Sequence, residues 1–195
     1  MVDFLKTSRL SIAHKAAEII MEEGITDYLF AKKKAAKYLG CINNQSLPSN
    51  KQIDEAIKEY QGIYLDEASP ELLEKIKIEA LITMKIFKDF NPHLSGHLLD
   101  GVIPRYPKIQ INLFSDNLKE IEYVLLNENI PFEFNEKTRV EKLTKKKSIR
   151  QVPVIYLEGK NFPVEIKVYA ENDIFKFKKQ LIKDRGISIK KIIES

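Results

Sequence analysis

The spacing of the apolar residues changes near Asn91, and this change limits the folds open to the chain. Before that point apolar residues recur about every 3.6 positions, which is typical of amphipathic helices. After it they approach strict alternation, which is typical of strands. Helices followed by strands predict an α+β fold, with an N-terminal helical region (1–67) and a mixed-sheet core that has flanking helices and a C-terminal helix (68–195).

Two of the predicted helices carry recognisable start signals. Ser49 followed by Gln52 forms a capping-box pattern, in which each side chain satisfies a backbone amide of the other residue. Pro70 suits the first turn of a helix, because the amide proton that it lacks would have no partner there. The segments predicted as helices in this half are 8–23, 27–40, 47–65 and 69–90.

The second half is predicted to consist mainly of strands. Residues 96–103 and 108–115 flank "PRYP" and predict a hairpin, and Asp116 or Asn117 is expected to cap the helix that follows. The lysine-rich segment 137–150 lacks apolar periodicity, so we expect a mobile loop there. The other predicted elements are a helix at 116–130, strands at 131–135, 151–159 and 161–170, and a terminal amphipathic segment at 174–183.

The composition predicts an ordinary soluble protein. A hydrophobic fraction of 44% and a charged fraction of 31% are both usual for a globular chain. The one cysteine, Cys41, cannot form an internal disulfide, and three histidines are too few for a Cys/His metal cluster. Charges interrupt every apolar stretch, so the sequence predicts no secretion signal and no membrane span. We therefore expect a cytoplasmic protein with no membrane partner.

The net charge of +4 is unevenly distributed. Lysine and arginine collect at 31–37, 137–151 and 176–191. Such clusters gain affinity for phosphates by releasing counterions, so nucleotide or RNA is an expected partner. The alternative interpretation is that each cluster is a solvated surface. The residues expected to bind nucleic acid are Lys142, Lys145, Lys146, Lys147 and Arg150.

The order of elements, with Gly101 expected at the end of the first strand and "KIQIN" on the second, resembles the minimal core of the DNA polymerase beta type nucleotidyltransferase superfamily. Members of that superfamily carry a Gly-Ser pair after the first strand, Asp-x-Asp on the second and a third carboxylate on a later strand. The resemblance implies a nucleotidyltransferase-like sheet core. Most of residues 10–135, including "EGITDYLFAKKKAAKYLG" and "LPSN", also resembles a group of proteobacterial proteins, which implies no function.

In the superfamily, carboxylates on one face of a strand hold two divalent ions, and the glycine turn lets backbone amides approach the triphosphate. Here Val102 replaces the serine, and Gln110 and Asn112 occupy the two carboxylate positions, while Glu165 matches the third. Amides are poor ligands for hard dications, so ordinary two-metal catalysis is not expected. The implied nucleotide-binding residues are Gly101, Val102, Arg105, Lys108, Gln110 and Asn112.

Three function classes stay open, and the sequence does not decide whether the chain is an enzyme. The preferred class is a catalytically degenerate nucleotidyltransferase-like protein that binds nucleotide, RNA or a protein partner and needs no metal or cofactor. The second is an active transferase that moves a nucleotidyl group from an NTP with Mg²⁺ and an unusual carboxylate set. The third is a protein-interaction module formed by the helical N-terminal region. The catalytic residues of the second class would be Asp100, Asp116 and Glu165.

Overall fold

The computed structural model describes residues 2–25, 27–41, 47–64, 70–142, 147–177 and 186–193. It confirms the predicted α+β fold. The chain divides into two compact units. The helical unit comprises Met1–Leu73 and Gly101–Pro107, and the sheet unit comprises Glu74–Asp100 and Lys108–Ser195.

The helical unit is built on α1 (Val2–Glu23), which packs against α2 (Tyr28–Tyr38) and α3 (Asn50–Tyr64). Alanine at many of the contact positions of α1 and α2 lets helix backbones approach closely, and the larger apolar side chains fill the remaining space. The residues at the centre of this core are Ile12, Ala13, Ala16, Ala17, Ile20, Met21, Ala31, Ala35, Ile53 and Ile57.

Side chains at the helix starts hold these boundaries in place. Asp27 is the N-cap of α2 and accepts hydrogen bonds from the amides of Leu29 and Phe30. At the start of α3 the predicted capping box is confirmed, because the Gln52 amide donates to Ser49 Oγ at 3.2 Å and the Ser49 amide donates to Gln52 Oε1 at 2.9 Å. Both caps satisfy amides that the first helical turn leaves without partners.

Gly101–Pro107, here called the return segment, belongs to the helical unit although the residues on both sides of it belong to the sheet unit. Val102 is buried in the helical core. The Arg105 amide donates to the Met21 carbonyl at 2.9 Å, and Gln61 Nε2 donates to the Gly101 carbonyl at 3.2 Å. The return segment is therefore held by both backbone and side-chain hydrogen bonds.

The sheet unit contains a six-stranded sheet in the order β3-β4-β5-β2-β1-β6. The pairing of β2 with β5 is parallel, and the other four pairings are antiparallel. The strands are β1 (His93–Ser95), β2 (Ile109–Phe114), β3 (Phe132–Lys142), β4 (Lys147–Leu157), β5 (Val164–Tyr169) and β6 (Ile187–Ser188). The helices are α4 (Pro70–Ile86, which starts in the helical unit), α5 (Leu118–Asn127, capped by Asn117), α6 (Asp173–Phe177) and α7 (Ile189–Ile193).

The two faces of the sheet differ in chemistry. Side chains alternate between faces along a strand, and directly paired residues share a face. One face is apolar and buried through Ile109, Ile111, Leu113, Ile155, Ile166 and Val168. The opposite face is mixed: it carries the polar residues of the candidate site together with the buried apolar side chains of Phe114, Val154 and Tyr169.

The prediction of a strand at 96–103 was wrong. The first strand is β1, and 3-10 turns surround it at Lys88–Phe90 and His97–Asp100. Gly96 ends the strand because its φ of +89° lies in the left-handed region, which a strand cannot continue through. Gly101 therefore does not follow a strand directly.

The prediction of a loop at 137–150 was also wrong for the residues that the structure describes. Residues 137–142 and 147–150 belong to β3 and β4, which pair from Phe132↔Leu157 to Lys142↔Lys147. Cross-strand hydrogen bonds stabilise this backbone, and apolar periodicity does not report them. Residues 143–146 lie outside the described residues.

At the C-terminus, α6 agrees with the beginning of the predicted segment 174–183, and residues 178–183 lie outside the described residues. The short strand β6 and the helix α7 were not predicted, because each is too brief to show a period. Nowhere in the described ranges is there a helix with the length and apolar character that crossing a membrane would require.

Candidate functional site

Polar residues from three neighbouring strands meet on the second face of the sheet. In the strand register Ser95 pairs with Gln110, Gln110 with Glu165, and Asn112 with Lys167. Since paired residues share a face, these five side chains form one continuous group. We call this group, with Lys108 at its edge, the polar face.

The polar face is largely removed from solvent. Gln110 is 7% exposed, Asn112 is 2% exposed and Glu165 is 1% exposed. A charge or an amide buried to this extent is costly unless another polar group satisfies it. The contacts around Glu165 therefore decide what the site can bind.

Two lysines contact the Glu165 carboxylate. Lys167 Nζ lies 3.1 Å from Oε1, and Lys108 Nζ lies 3.9 Å from Oε2. Lys167 Nζ also donates to Gln110 Oε1 at 3.3 Å, which links β5 to β2. The two lysines are the more solvent-exposed members of the polar face, since the side chains of Lys108 and Lys167 are 31% and 21% exposed. The polar face thus contains one carboxylate and two ammonium groups.

Gly96 makes room for the amide of Gln110. A Cβ atom on Gly96 would lie 3.0 Å from both Cδ and Nε2 of Gln110, closer than side chains normally pack. The neighbouring Ser95 hydroxyl donates to the backbone carbonyl of Gln110 at 3.3 Å. The absence of a side chain at Gly96 therefore lets the turn after β1 pack closely against Gln110 in the middle of β2.

The other two carboxylates of the proposed catalytic set lie elsewhere. Asp100 ends the 3-10 turn and is exposed. Asp116 is exposed and its Oδ1 accepts the amide of Glu171 at 3.2 Å, which is a loop contact. Among the described residues no three His, Cys, Asp or Glu side chains, these two and Glu165 included, are grouped to hold a metal ion.

Three residues predicted to bind nucleotide belong to the helical unit. Gly101 and Val102 are in the return segment, and so is Arg105, whose Nη1 donates to Glu22 Oε2 at 3.0 Å. Tyr60 donates its hydroxyl to the other oxygen of Glu22 at 2.9 Å. The hydrogen bonds from Arg105 and Tyr60 hold the pKa of Glu22 below its ordinary value. Arg105 is therefore already engaged by a carboxylate of its own unit.

The residues predicted to bind nucleic acid lie on the β3–β4 hairpin where the structure describes them. Lys142 pairs with Lys147 in the strand register, and Arg150 pairs with Arg139. Lys145 and Lys146 lie outside the described residues.

Lys167, Ser95 and Gly96 were not predicted as residues of the site. The signal for Lys167 was present in "VEIKV", because two residues separated by one position on a strand share a face. The signal for Ser95 and Gly96 was obscured when the first strand was placed three residues too late.

No protein-family model, curated protein or solved structure matches the chain. The nucleotidyltransferase resemblance therefore stays a prediction, as do the RNA and protein partners.

Proposed function

We propose that this chain is a nucleotidyltransferase-like protein that binds a nucleotide at the polar face and does not perform two-metal transfer. The observation that best supports this proposal is the contact of Glu165 with both Lys167 and Lys108. With two ammonium groups against one carboxylate, the polar face has an excess of one positive charge. That balance favours a phosphate over a pair of divalent cations.

The amides of Gln110 and Asn112 support the same proposal. A neutral amide offers both donors and acceptors, so it can hydrogen-bond a sugar, a base edge or a phosphate oxygen. It does not supply the negative charge that stabilises two closely spaced Mg²⁺ ions. Both amides lie on β2 beside the lysines, and because the lysines are the more exposed groups, a bound nucleotide would contact them first.

The test is calorimetric titration of ATP and GTP into the protein in the presence of EDTA. Binding without metal is expected, and Lys108→Met should raise the Kd about tenfold, because a charge-assisted hydrogen bond contributes about 1.5 kcal/mol. Lys108 is suitable because it is the more exposed of the two lysines. A second variant, Glu165→Gln with Lys167→Met, removes the buried carboxylate together with its partly buried lysine partner, so that neither charge is left alone.

Lys119→Met is the matched control, because Lys119 is an exposed lysine on α5. It should leave the Kd unchanged. No heat of binding for either nucleotide would refute the proposal. Binding that appears only with Mg²⁺ would instead support the active transferase, and Glu165→Ala should then abolish label transfer from the NTP.

A further inference from the structure

The outer part of the β3–β4 hairpin pairs only with itself among the described strands. β4 pairs with β5 from Val154 to Leu157, whereas β3 and β4 continue beyond that point to the Lys142↔Lys147 pair. We call residues 137–142 and 147–152 the ribbon. Six residues of strand are about 20 Å long at about 3.3 Å per residue. A two-stranded ribbon of this kind gains little stability by itself.

The ribbon is strongly basic for its length. It contains five basic residues and one acidic residue, Glu141, which gives a formal charge of +4. The whole chain also has a net charge of +4, so the remaining residues sum to zero. The basic residues are Lys137, Arg139, Lys142, Lys147 and Arg150.

The strand register places like charges opposite one another. Arg139 is paired with Arg150, and Lys142 is paired with Lys147. A polyanion bound along the ribbon would therefore meet basic residues on both strands, and Lys and Arg gain affinity for phosphates by releasing counterions.

We propose that the ribbon binds duplex DNA by entering its major groove. The major groove of B-form DNA is about 12 Å wide and accepts a two-stranded ribbon, whereas the major groove of A-form RNA is too narrow for side chains to read. Single-stranded nucleic acid is bound mainly by stacking on aromatic rings, and the sequence has no aromatic residue between Phe134 and Tyr156. This activity is separate from nucleotide binding at the polar face and uses different residues.

The ribbon variant for the test combines Arg139→Gln, Lys142→Gln, Lys147→Gln and Arg150→Gln in the full chain. Fluorescence anisotropy with a labelled mixed-sequence duplex of about 20 base pairs, roughly two helical turns, measures the affinity. We expect the variant to bind about tenfold more weakly or worse. The slope of log Kd against log salt should fall by about 3 to 4, because each lost phosphate contact removes about 0.9 from it.

The matched control removes the same charge from exposed positions outside the ribbon, through Lys33→Gln, Lys37→Gln, Lys190→Gln and Lys191→Gln. It should retain most of the affinity. Circular dichroism and thermal unfolding of both variants establish that each is folded, so that weaker binding is not ascribed to unfolding.

Three results would overturn the proposal. The first is no binding of the duplex by the wild type, and the second is an equal loss of affinity in the control and ribbon variants. The third is single-stranded DNA or duplex RNA of the same sequence bound as tightly as duplex DNA. Lys108→Met should leave DNA affinity unchanged, so failure of this proposal and failure of the nucleotide proposal give different results.

Discussion

Glu79 on α4 holds Asn161 in the β4–β5 loop, although 82 positions separate the two residues in the chain. One carboxylate oxygen accepts the Asn161 amide at 2.9 Å and the other accepts Asn161 Nδ2 at 2.9 Å. The Phe162 amide donates to the same carboxylate at 3.3 Å. The buried carboxylate of Glu79 therefore accepts hydrogen bonds from the loop that connects β4 to β5, the strand that carries Glu165.

Glu79→Ala is expected to destabilise the sheet unit by about 2 to 3 kcal/mol, because it leaves several amides without their charged acceptor. The measurement is urea denaturation followed by circular dichroism. Glu74→Ala is the control, since Glu74 is an exposed carboxylate on the same helix. Equal stability of the two variants would show that the Asn161 contact contributes nothing.

The same carboxylate makes stability depend on pH. Burial by itself would raise the pKa of Glu79, but the hydrogen bonds from Asn161 and Phe162 outweigh it and hold the pKa below the ordinary value of 4.5. A carboxyl group with a lowered folded-state pKa stabilises the fold above its unfolded pKa, and this contribution is lost as the pH falls through the folded pKa. The difference in unfolding free energy between wild type and Glu79→Gln should therefore be largest near neutral pH and shrink below about pH 4.5. A constant difference from pH 7 to pH 3 would contradict this.

Gly96→Ala is expected to destabilise the protein by about 1 to 3 kcal/mol, because the new methyl group imposes strain at a positive φ. Its Cβ would also press on the Gln110 amide. Thermal unfolding provides the measurement. Gly62→Ala is the matched control, since Gly62 lies in α3 with nothing within 4 Å of a new Cβ. Gly62→Ala should stabilise the protein by up to about 1 kcal/mol. Changes in stability of the same sign in both variants would therefore refute the steric argument.

Arg105→Gln should leave nucleotide affinity unchanged, in contrast to Lys108→Met. The guanidinium of Arg105 already donates to Glu22, so it is not expected to serve a phosphate. The substitution should instead lower the melting temperature of the protein slightly, because Glu22 loses a donor. Calorimetric titration of ATP into both variants separates the two roles. A large loss of nucleotide affinity in Arg105→Gln would show that Arg105 does contribute to nucleotide binding.

Local signals in the sequence predicted the helices well. The capping box of Ser49 and Gln52 and the Asn117 cap lie where the pattern placed them, because a cap involves residues only a few positions apart. A strand was predicted at 96–103 because "GHLLDGVI" is rich in apolar residues. The left-handed turn at Gly96, which ends the actual strand, cannot be recognised from the pattern of apolar residues.

Long-range pairing could not be read from the sequence. Gln110 and Asn112 were expected to share a face of β2, and they do. The parallel pairing that brings Glu165 and Lys167 beside them joins residues 55 positions apart, and no local period encodes it. The same limit explains why residues 137–142 and 147–150 were not predicted as strands, since β3 and β4 supply one another's hydrogen bonds without an apolar stripe.

The return segment also bears on how the chain is made. Val102, which belongs to the helical core, is encoded after a stretch that folds with the sheet. During synthesis the core of the helical unit is therefore completed only after residues up to 107 have been made. A gene cut after residue 73 would yield helices that lack Val102 from their interior, so the helical unit is expected to fold fully only when the return segment is present.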